Sequence, residues 1–376
     1  MLRIDVSQRN FSHALHHVSK AVSAKSTIPI LSGIHLKATA AGVTLQTGSL
    51  DLMLQYELPA EEEHVIIHES GTIVVPAKYF IDIIRNSQDG IVTVEAKEGS
   101  LVVIRSGNAV YRLSSMNAEE FPQMVQVRQP DIKGLPNELL RAFIQQVSFA
   151  RSTSEMRPVL TGVRCQFNEG HMQLLATDGI RLASRRTNDE DAFYPNPLTI
   201  IVPGKNLLQY AKLLNDMEAA TDITIVDNKI LLRTQNFTMQ SLLIDGTYPY
   251  VDKLTSESFI TVMTVDSAGF LHALERVSLL AGESSLVRMH IQSNGSIELL
   301  SQTAEIGDVV EEVPIKELLG DELTVYFNAA YMSEILRAAD CAGLTLSFSG
   351  PCKPIIIRPL DDAASLYILT PIRSRL

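Results

Sequence analysis

Cysteine is scarce in this sequence, with only Cys165, Cys341 and Cys352 among its 376 residues. An odd number of widely spaced cysteines argues against a disulfide framework. No Cys-x-x-Cys pair and no Cys/His cluster is present, so nothing in the sequence indicates a zinc site. We expect three ordinary core thiols, no metal ion and no cofactor.

Long apolar runs are also missing. No stretch approaches the roughly 18 apolar residues that a membrane span needs. The first five residues alternate in polarity like a strand and do not form the apolar core of a signal peptide. The sequence therefore predicts a cytoplasmic protein with no membrane partner, and its length suffices for two or three domains.

Motifs of the common enzyme classes are absent as well. The sequence has no P-loop, no Gly-x-Gly-x-x-Gly, no His-Glu-x-x-His and no Gly-x-Ser-x-Gly. Asp51, Asp178 and Asp308 could be imagined as a carboxylate set, but Asp178-Gly179 is first of all a turn dipeptide. The sequence therefore gives little support to an enzymatic function.

An excess of positive charge is lacking, because the formal net charge is −11. Taken alone, this charge argues against a protein that coats nucleic acid. It does not exclude a local basic lining, provided that the lining is segregated from an acidic exterior. Acidic runs occur at residues 61–63, 189–191, 311–312 and 361–362.

What the sequence does contain is an internal repeat. Residues 11–19, 140–148 and 270–278 each place apolar side chains at positions i, i+4 and i+7, as one face of a helix does, and each segment ends in Val-Ser. The valines of these pairs are 129 and 130 residues apart. A period of this length indicates three copies of one structural unit.

Two further landmarks recur in the same order. Val75-Pro76-Ala77, Val202-Pro203-Gly204 and Phe327-Asn328-Ala329 each open a second helix. We expect the prolines in the first helical turn and Asn328 as an N-cap. Three dipeptides then close the copies: Phe121-Pro122, Tyr248-Pro249 and Thr370-Pro371.

Between the landmarks, segments such as 34–38, 43–47 and 92–96 alternate polar and apolar residues with a period of two, which is typical of strands. Each copy therefore reads as two helices and several antiparallel strands. The predicted fold class is α+β, with three repeated units per chain at residues 1–126, 127–254 and 255–376.

The predicted helices carry basic residues on the faces opposite their apolar stripes. An ordinary solvated face of mixed charge is the reading that the residues alone favour. The alternative is that the helices present cations to phosphate groups. The residues concerned are Lys20, Lys78, Arg85, Arg141, Lys205, Lys212, Arg276 and Arg337.

Four motifs take the interpretation further. Residues 27–33, 157–162, 177–183 (Thr-Asp-Gly-Ile-Arg-Leu-Ala) and 245–249 resemble the bacterial DNA polymerase III beta subunit family, and the resemblance covers the whole chain in order. It implies a non-catalytic sliding clamp, in which two chains join head to tail into a ring of six units. It also implies sequence-independent binding of encircled double-stranded DNA, with partners that include the replicative polymerase, the clamp loader and other proteins with clamp-binding motifs.

The resemblance also implies a pocket between the second and third units that takes short peptides with a glutamine and apolar anchors. The matching positions are Leu160, Thr177, Gly179, Leu182, Pro249, Lys253, Leu254, Asn328, Tyr331, Pro371, Ile372 and Arg373. Two residues depart from the family pattern. Thr370 replaces an apolar residue, and Lys253 stands where arginine is common, which removes bidentate geometry.

Further positions follow from the same resemblance. Lys25 matches a basic position that touches DNA, and Arg151 or Arg157 is its counterpart in the second unit. Tyr111 and Leu113 match one side of the dimer contact, and Leu279 and Leu280 match the other. An edge strand that would otherwise pair without control is satisfied when the ring closes.

Two hypotheses therefore stand beside the clamp. One is a clamp-like peptide-binding hub, or a duplicate clamp with a regulatory role, that never encircles DNA. The other is an enzyme on a repeated α+β scaffold. Retention on circular DNA separates the clamp from the hub, and the missing nucleophile–base and metal sets weigh against the enzyme.

Overall fold

The computed structural model of the protein describes residues 2–22, 28–96, 100–127, 129–168, 170–188, 197–214, 220–249, 258–303 and 306–373. Lys25, Lys253 and Leu254 lie outside these residues, as does the C-terminal segment 374–376.

The helices bury one apolar face each. Phe11, Leu15 and Val18 are buried along the first of them, and Phe270, Leu274 and Val277 occupy the corresponding places in the fifth. The helices are α1 (Gln8–Val18), α2 (Ala77–Asn86), α3 (Asn137–Ser148), α4 (Gly204–Leu213), α5 (Ser267–Ser278) and α6 (Ala329–Ala339).

Short polar side chains cap several of these helices. Ser7 accepts a hydrogen bond from the backbone N–H of Asn10 at 3.1 Å in α1. Asn328 accepts one from Tyr331 at 3.0 Å in α6, which confirms the expected N-cap. The expectation for the prolines was wrong by one position: α2 begins at Ala77, and Pro76 is its N-cap residue.

The strands of the first copy are β1 (Leu2–Ser7), β2 (Gly33–Thr39), β3 (Gly42–Gly48), β4 (Leu52–Pro59), β5 (Val65–Glu69), β6 (Gly71–Pro76), β7 (Ile91–Ala96), β8 (Leu101–Ser106) and β9 (Ala109–Ser114). Those of the second are β10 (Ile132–Pro136), β11 (Gly162–Asn168), β12 (His171–Thr177), β13 (Arg181–Asn188), β14 (Leu198–Pro203), β15 (Ala220–Val226), β16 (Lys229–Arg233) and β17 (Phe237–Leu242).

The third copy contributes β18 (Thr261–Asp266), β19 (Leu286–Ile291), β20 (Ser296–Thr303), β21 (Gly307–Pro314), β22 (Glu317–Gly320), β23 (Leu323–Asn328), β24 (Gly343–Phe348), β25 (Ile355–Pro359) and β26 (Ser365–Leu369). Each copy runs strand, helix, several strands, second helix and three strands. The predicted α+β class with a threefold repeat is therefore confirmed.

All strand pairs are antiparallel, and neighbouring repeats share sheets. An eight-stranded sheet runs β10-β15-β16-β17-β4-β3-β2-β6, and a nine-stranded sheet runs β14-β11-β12-β13-β26-β25-β24-β18-β22. The first joins the last strand of the second repeat, β17, to β4 of the first repeat. The second joins the last strand of the third repeat, β26, to β13 of the second repeat.

Two sheets belong to a single repeat each. One runs β5-β1-β7-β8-β9 in the first repeat, and the other runs β21-β20-β19-β23 in the third. Strands β9 and β21 are therefore sheet edges within the described residues. Edges of this kind present unpaired backbone N–H and C=O groups.

Residue contacts divide the chain into two compact units, residues 1–140 with 209–243 and residues 141–208 with 244–376. The division runs through the second repeat, because half of its strands lie in a sheet shared with the first repeat and the other half in a sheet shared with the third. Each unit has its own core, which includes Phe11, Phe80 and Tyr210 in one and Phe270 and Phe348 in the other.

The cysteines differ from the expectation of three core thiols. Cys165 is buried, and its burial raises the thiol pKa to about 12. Cys341 is half-buried, and Cys352 is exposed. Among the described residues, no helix is long and apolar enough to cross a membrane.

Candidate functional site

The site begins at the 3-10 turn Pro158–Thr161, which leads into β11. Thr161 donates its hydroxyl to the Pro158 carbonyl at 2.7 Å, and Leu160 is buried with 5% of its surface exposed. Gly162 follows because a Cβ there would lie 2.4 Å from Cγ2 of Ile201. A glycine at this point therefore lets the turn pack directly on β14.

A second tight turn, at the end of β12, holds Thr177 and Gly179. The Thr177 hydroxyl donates to the Arg181 carbonyl at 2.6 Å and accepts from the Gly179 N–H at 3.0 Å. Asp178 accepts from the N–H groups of Ile180 and Arg181 at 2.9 Å each. Gly179 has φ +92°, which side chains rarely tolerate. The motif Thr-Asp-Gly thus encodes one rigid turn.

Tyr248 connects the two turns. Its phenol oxygen accepts from the Thr177 N–H at 3.1 Å and donates to the Gly162 carbonyl at 3.3 Å. Burial raises the pKa of Tyr248 to about 12, so the phenol remains a neutral donor. Pro249, which follows it, is exposed at the surface.

The floor of the site is apolar and is shared by the second and third repeats. Leu182 lies opposite Ile368 in the β13–β26 pair, and only 4% of each residue is exposed. Leu160, Tyr248 and Ile356 pack with them in one buried cluster. Leu160 and Leu182 therefore form a buried floor beneath the site.

The end of the described chain lies beside this floor. Thr370 donates its N–H to the Ile180 carbonyl at 2.8 Å, and Ile372 donates to the Tyr326 carbonyl at 2.7 Å. Pro371 is buried, whereas 37% of Ile372 is exposed and Arg373 is exposed as well. Thr370 stands where an apolar residue is common, and its backbone hydrogen bond to Ile180 is still made.

Asn328 and Tyr331 belong to the start of α6. The Asn328 amide also donates to the Ser284 carbonyl at 3.2 Å, which fixes its orientation. Tyr331 is half-buried and faces the guanidinium of Arg181, with 4.3 Å between the guanidinium carbon and the ring centre. Leu160, Thr177, Gly179 and Leu182 thus lie in one network of contacts with Tyr331, which Arg181 joins to them.

Arg181 lies within the Thr-Asp-Gly-Ile-Arg-Leu-Ala motif, but it is not among the pocket residues predicted from sequence. Its side chain is 8% exposed and forms ion pairs with Asp178, at 3.1 Å, and with Glu334. It also donates to the Phe149 carbonyl at 3.0 Å. Its burial among opposite charges could not be read from sequence, because Asp178 and Glu334 are 156 residues apart.

The predicted DNA-facing residues lie on helices or beside them. Lys20, Lys78, Arg85, Lys205 and Lys212 are exposed, and Arg141 is half-buried. Arg151 is half-buried and donates to the Ser152 carbonyl at 3.3 Å, whereas Arg157 is exposed.

Arg276 and Arg337 are each engaged by a carboxylate. Arg276 of α5 makes a forked contact with both oxygens of Glu311, and hydrogen bonding to that carboxylate raises the pKa of Arg276. Arg337 of α6 donates to Glu275 at 2.7 Å. Their charges are therefore partly neutralised on the protein itself.

The predicted dimer residues fall on an edge strand of the first repeat and at the end of a helix of the third. Tyr111 and Leu113 are half-buried on the edge strand β9. Leu279, the C-cap residue of α5, is 81% exposed, and Leu280 follows it. A leucine this exposed contributes nothing to the core of its own chain.

A chain that repeats one α+β unit three times, with neighbouring repeats joined through shared sheets, has the architecture of a sliding clamp. Models of the DNA polymerase III beta subunit match its N-terminal domain at residues 2–125, its central domain at 134–250 and its C-terminal domain at 254–373. The chain therefore belongs to the DNA polymerase III beta subunit family, the bacterial sliding clamps.

Individual relatives agree with this assignment. The beta sliding clamp of Bacillus subtilis is 33% identical over 381 residues, which cover 99% of this chain and all of that protein. The crystal structure of the Bacillus subtilis clamp has a TM-score of 0.96 and covers 99% of both chains at 33% identity. A DNA polymerase III beta chain from Streptococcus pneumoniae has a TM-score of 0.95 at 26% identity, with full coverage of both.

Proposed function

We propose that two copies of this chain close head to tail into a ring that encircles double-stranded DNA and tethers the replicative polymerase, the clamp loader and other proteins with clamp-binding motifs. The protein acts as a non-catalytic processivity factor in the bacterial cytoplasm. The observation that carries the proposal is the pair of sheet edges at β9 and β21.

The pairing rule inside the chain supports ring closure. The last strand of the second repeat pairs with the first repeat, and the last strand of the third repeat pairs with the second. By the same rule, β9, the last strand of the first repeat, pairs with β21 of a third repeat. Such a heterologous contact generates a closed ring when the rotation permits it. Tyr111 and Leu113 then pack against Leu279 and Leu280 of the second copy.

The basic residues supply the contact with DNA. In a ring the association is topological, so weak contacts with phosphates suffice and tight pairing would oppose sliding. Exposed lysines suit this role, because a flexible ammonium is a point charge without bidentate geometry. The DNA-facing set is Lys20, Lys25, Lys78, Arg85, Arg141, Arg151, Arg157, Lys205, Lys212, Arg276 and Arg337.

The partner peptides bind over the floor formed by Leu160, Leu182 and Ile368. An apolar floor with a few convergent polar groups is typical of peptide grooves. The rigid turn around Gly179 and the ring of Tyr331 orient the peptide, while Pro249 and Ile372 offer exposed apolar surface. The full set is Leu160, Thr177, Gly179, Leu182, Pro249, Lys253, Leu254, Asn328, Tyr331, Pro371, Ile372 and Arg373. The three units keep the boundaries 1–126, 127–254 and 255–376.

Retention on DNA of different topology tests the proposal. The purified protein is loaded with its clamp loader and ATP onto a nicked circular plasmid, and gel filtration follows before and after a single cut. A ring stays on the circle and leaves the linear DNA. Protein that never loads, or that remains equally well on linear DNA, contradicts the clamp and favours a peptide-binding hub.

A further inference from the structure

The first repeat contains a structural counterpart of the peptide floor. The 3-10 turn Pro29–Ser32 matches Pro158–Thr161, because Ser32 donates to the Pro29 carbonyl at 2.6 Å as Thr161 does to Pro158. The strand that follows keeps the same register, with Gly33 opposite Pro76 as Gly162 is opposite Pro203. The two local frameworks are therefore equivalent position by position.

The apolar residues correspond as well. One buried cluster holds Leu31, Met53, Val74 and Phe121, and the other holds Leu160, Leu182, Ile201 and Tyr248 in the matching places. Met116 donates its N–H to the Val74 carbonyl at 2.8 Å, as Ile244 does to Ile201 at 2.8 Å. The first repeat thus has the floor on which the proposed peptide groove is built.

One difference between the two floors concerns the residue that lies opposite Leu182 or opposite its counterpart Met53. Leu182 lies opposite Ile368, whereas its counterpart Met53 lies opposite Gln240. Gln240 is buried, and its amide donates to the Met53 sulfur at 3.6 Å. Its oxygen accepts the backbone N–H of Val125 at 2.9 Å. The backbone N–H of Val125 thus satisfies the buried amide oxygen of Gln240 in an otherwise apolar floor.

The segment that contains Val125 also packs against this floor. Met124, which precedes Val125, is only 5% exposed and packs in the cluster with Leu31 and Met53. A flexible thioether side chain is well suited to filling such a space. We propose that the first repeat contains a second, closed copy of the peptide groove, occupied by the chain's own segment from Phe121 to Val125. Each chain then binds one peptide, in its second repeat only.

This inference rests on the proposed peptide site, and peptide stoichiometry tests it. The probe is a fluorescein-labelled peptide with one glutamine followed by leucine and phenylalanine anchors, titrated by calorimetry and anisotropy. We expect one peptide per wild-type chain and two per Met124→Ala chain, with the second site at least 10-fold weaker. Met124→Leu, which keeps the volume, is the matched control and retains one site.

The outcomes separate the two proposals. Failure of the wild-type chain to bind the probe overturns the peptide site and this inference with it. One site in both wild type and a folded Met124→Ala chain overturns only the closed groove. Gln240→Ile is the second variant, in which hydrogen exchange at the Val125 amide rises at least 10-fold and a second site opens; unchanged exchange there also overturns the inference.

Discussion

The guanidinium carbon of Arg181 lies 4.3 Å from the centre of the Tyr331 ring, and the same guanidinium is paired with Glu334 one turn further along α6. A strand of the second repeat and a helix of the third are thus fastened by one buried cation. Stacking on Tyr331 and simultaneous pairing with Asp178 and Glu334 both use the planar guanidinium with its several nitrogens. Arg181 therefore positions Tyr331 at the site.

We expect Arg181→Met to weaken peptide binding about 10-fold, which corresponds to about 1.4 kcal/mol. Arg181→Lys keeps the charge but loses the planar guanidinium, so its affinity should lie between those of the wild-type and Arg181→Met chains. Fluorescence anisotropy with a labelled clamp-binding peptide measures the change. Arg186→Met on the exposed side of the same strand is the control, and equal affinities for all four chains would contradict the role of Arg181.

Tyr248→Phe removes the hydroxyl that joins the turn at Thr177 to Gly162. The Thr177 N–H then loses its partner in a buried place, which costs about 1–3 kcal/mol of unfolding free energy. Urea denaturation should show a lower midpoint with an unchanged slope. Tyr79→Phe, at a ring that is 58% exposed, serves as the control and leaves the midpoint unchanged. In the first repeat, Phe121 occupies the matching place, and His35 stacks on its ring with 5.0 Å between the ring centres.

Leu279→Lys combined with Leu280→Lys should give monomers. Two buried apolar contacts become charged at each of the two interfaces of the ring, and desolvating those charges opposes association. Light scattering should then give a mass near 41.4 kDa, and not the dimer mass of twice that value. Leu50→Lys changes a leucine that is 72% exposed in the first repeat, and it should leave the dimer intact. A dimer mass for the double variant would refute the assigned interface.

Lys212→Ala and Arg276→Ala should affect DNA differently. The charge of Arg276 is already engaged by Glu311, whereas no ion pair of Lys212 occurs in the described part of the chain. Losing a phosphate contact lowers the salt dependence of DNA association by about 0.9 in the logarithmic slope. We expect that decrease for Lys212→Ala and a smaller one for Arg276→Ala, measured by anisotropy with duplex DNA at several salt concentrations. The opposite order would disprove the assignment.

Acid should destabilise the first repeat through His35. Burial, reinforced by Lys37, lowers the pKa of His35 from 6.5 to about 4, so the folded protein holds the ring neutral. The unfolded chain binds this proton below pH 6.5, and stability falls from there until pH 4, by about 3 kcal/mol in all. His35→Gln should lose less stability between pH 7 and pH 5 than wild type, as measured by urea midpoints. Parallel pH profiles would show that His35 carries no such effect.

Much of the fold could be predicted because its determinants are local or periodic. The helical stripes at residues 11–19 and 270–278, the alternating strands and the cap at Asn328 each depend on neighbours a few residues away. The resemblance of four short motifs then indicated the site residues by position. Neither source could reveal that Leu160 and Leu182 form a buried floor, since burial depends on the partner strand β26.

The sequence by itself determined three α+β repeats, their helices and most of their strands, because hydrophobic period and turn chemistry act along the chain. Tertiary structure alone decided what lies across distant segments. It brought Glu311 into contact with Arg276, so that the charge of one predicted DNA-facing residue is partly neutralised. It also placed Gln240 opposite Met53 in the first repeat, at the position where the second repeat has Ile368 opposite Leu182. These differences arise from strand register, and register joins residues that the sequence keeps far apart.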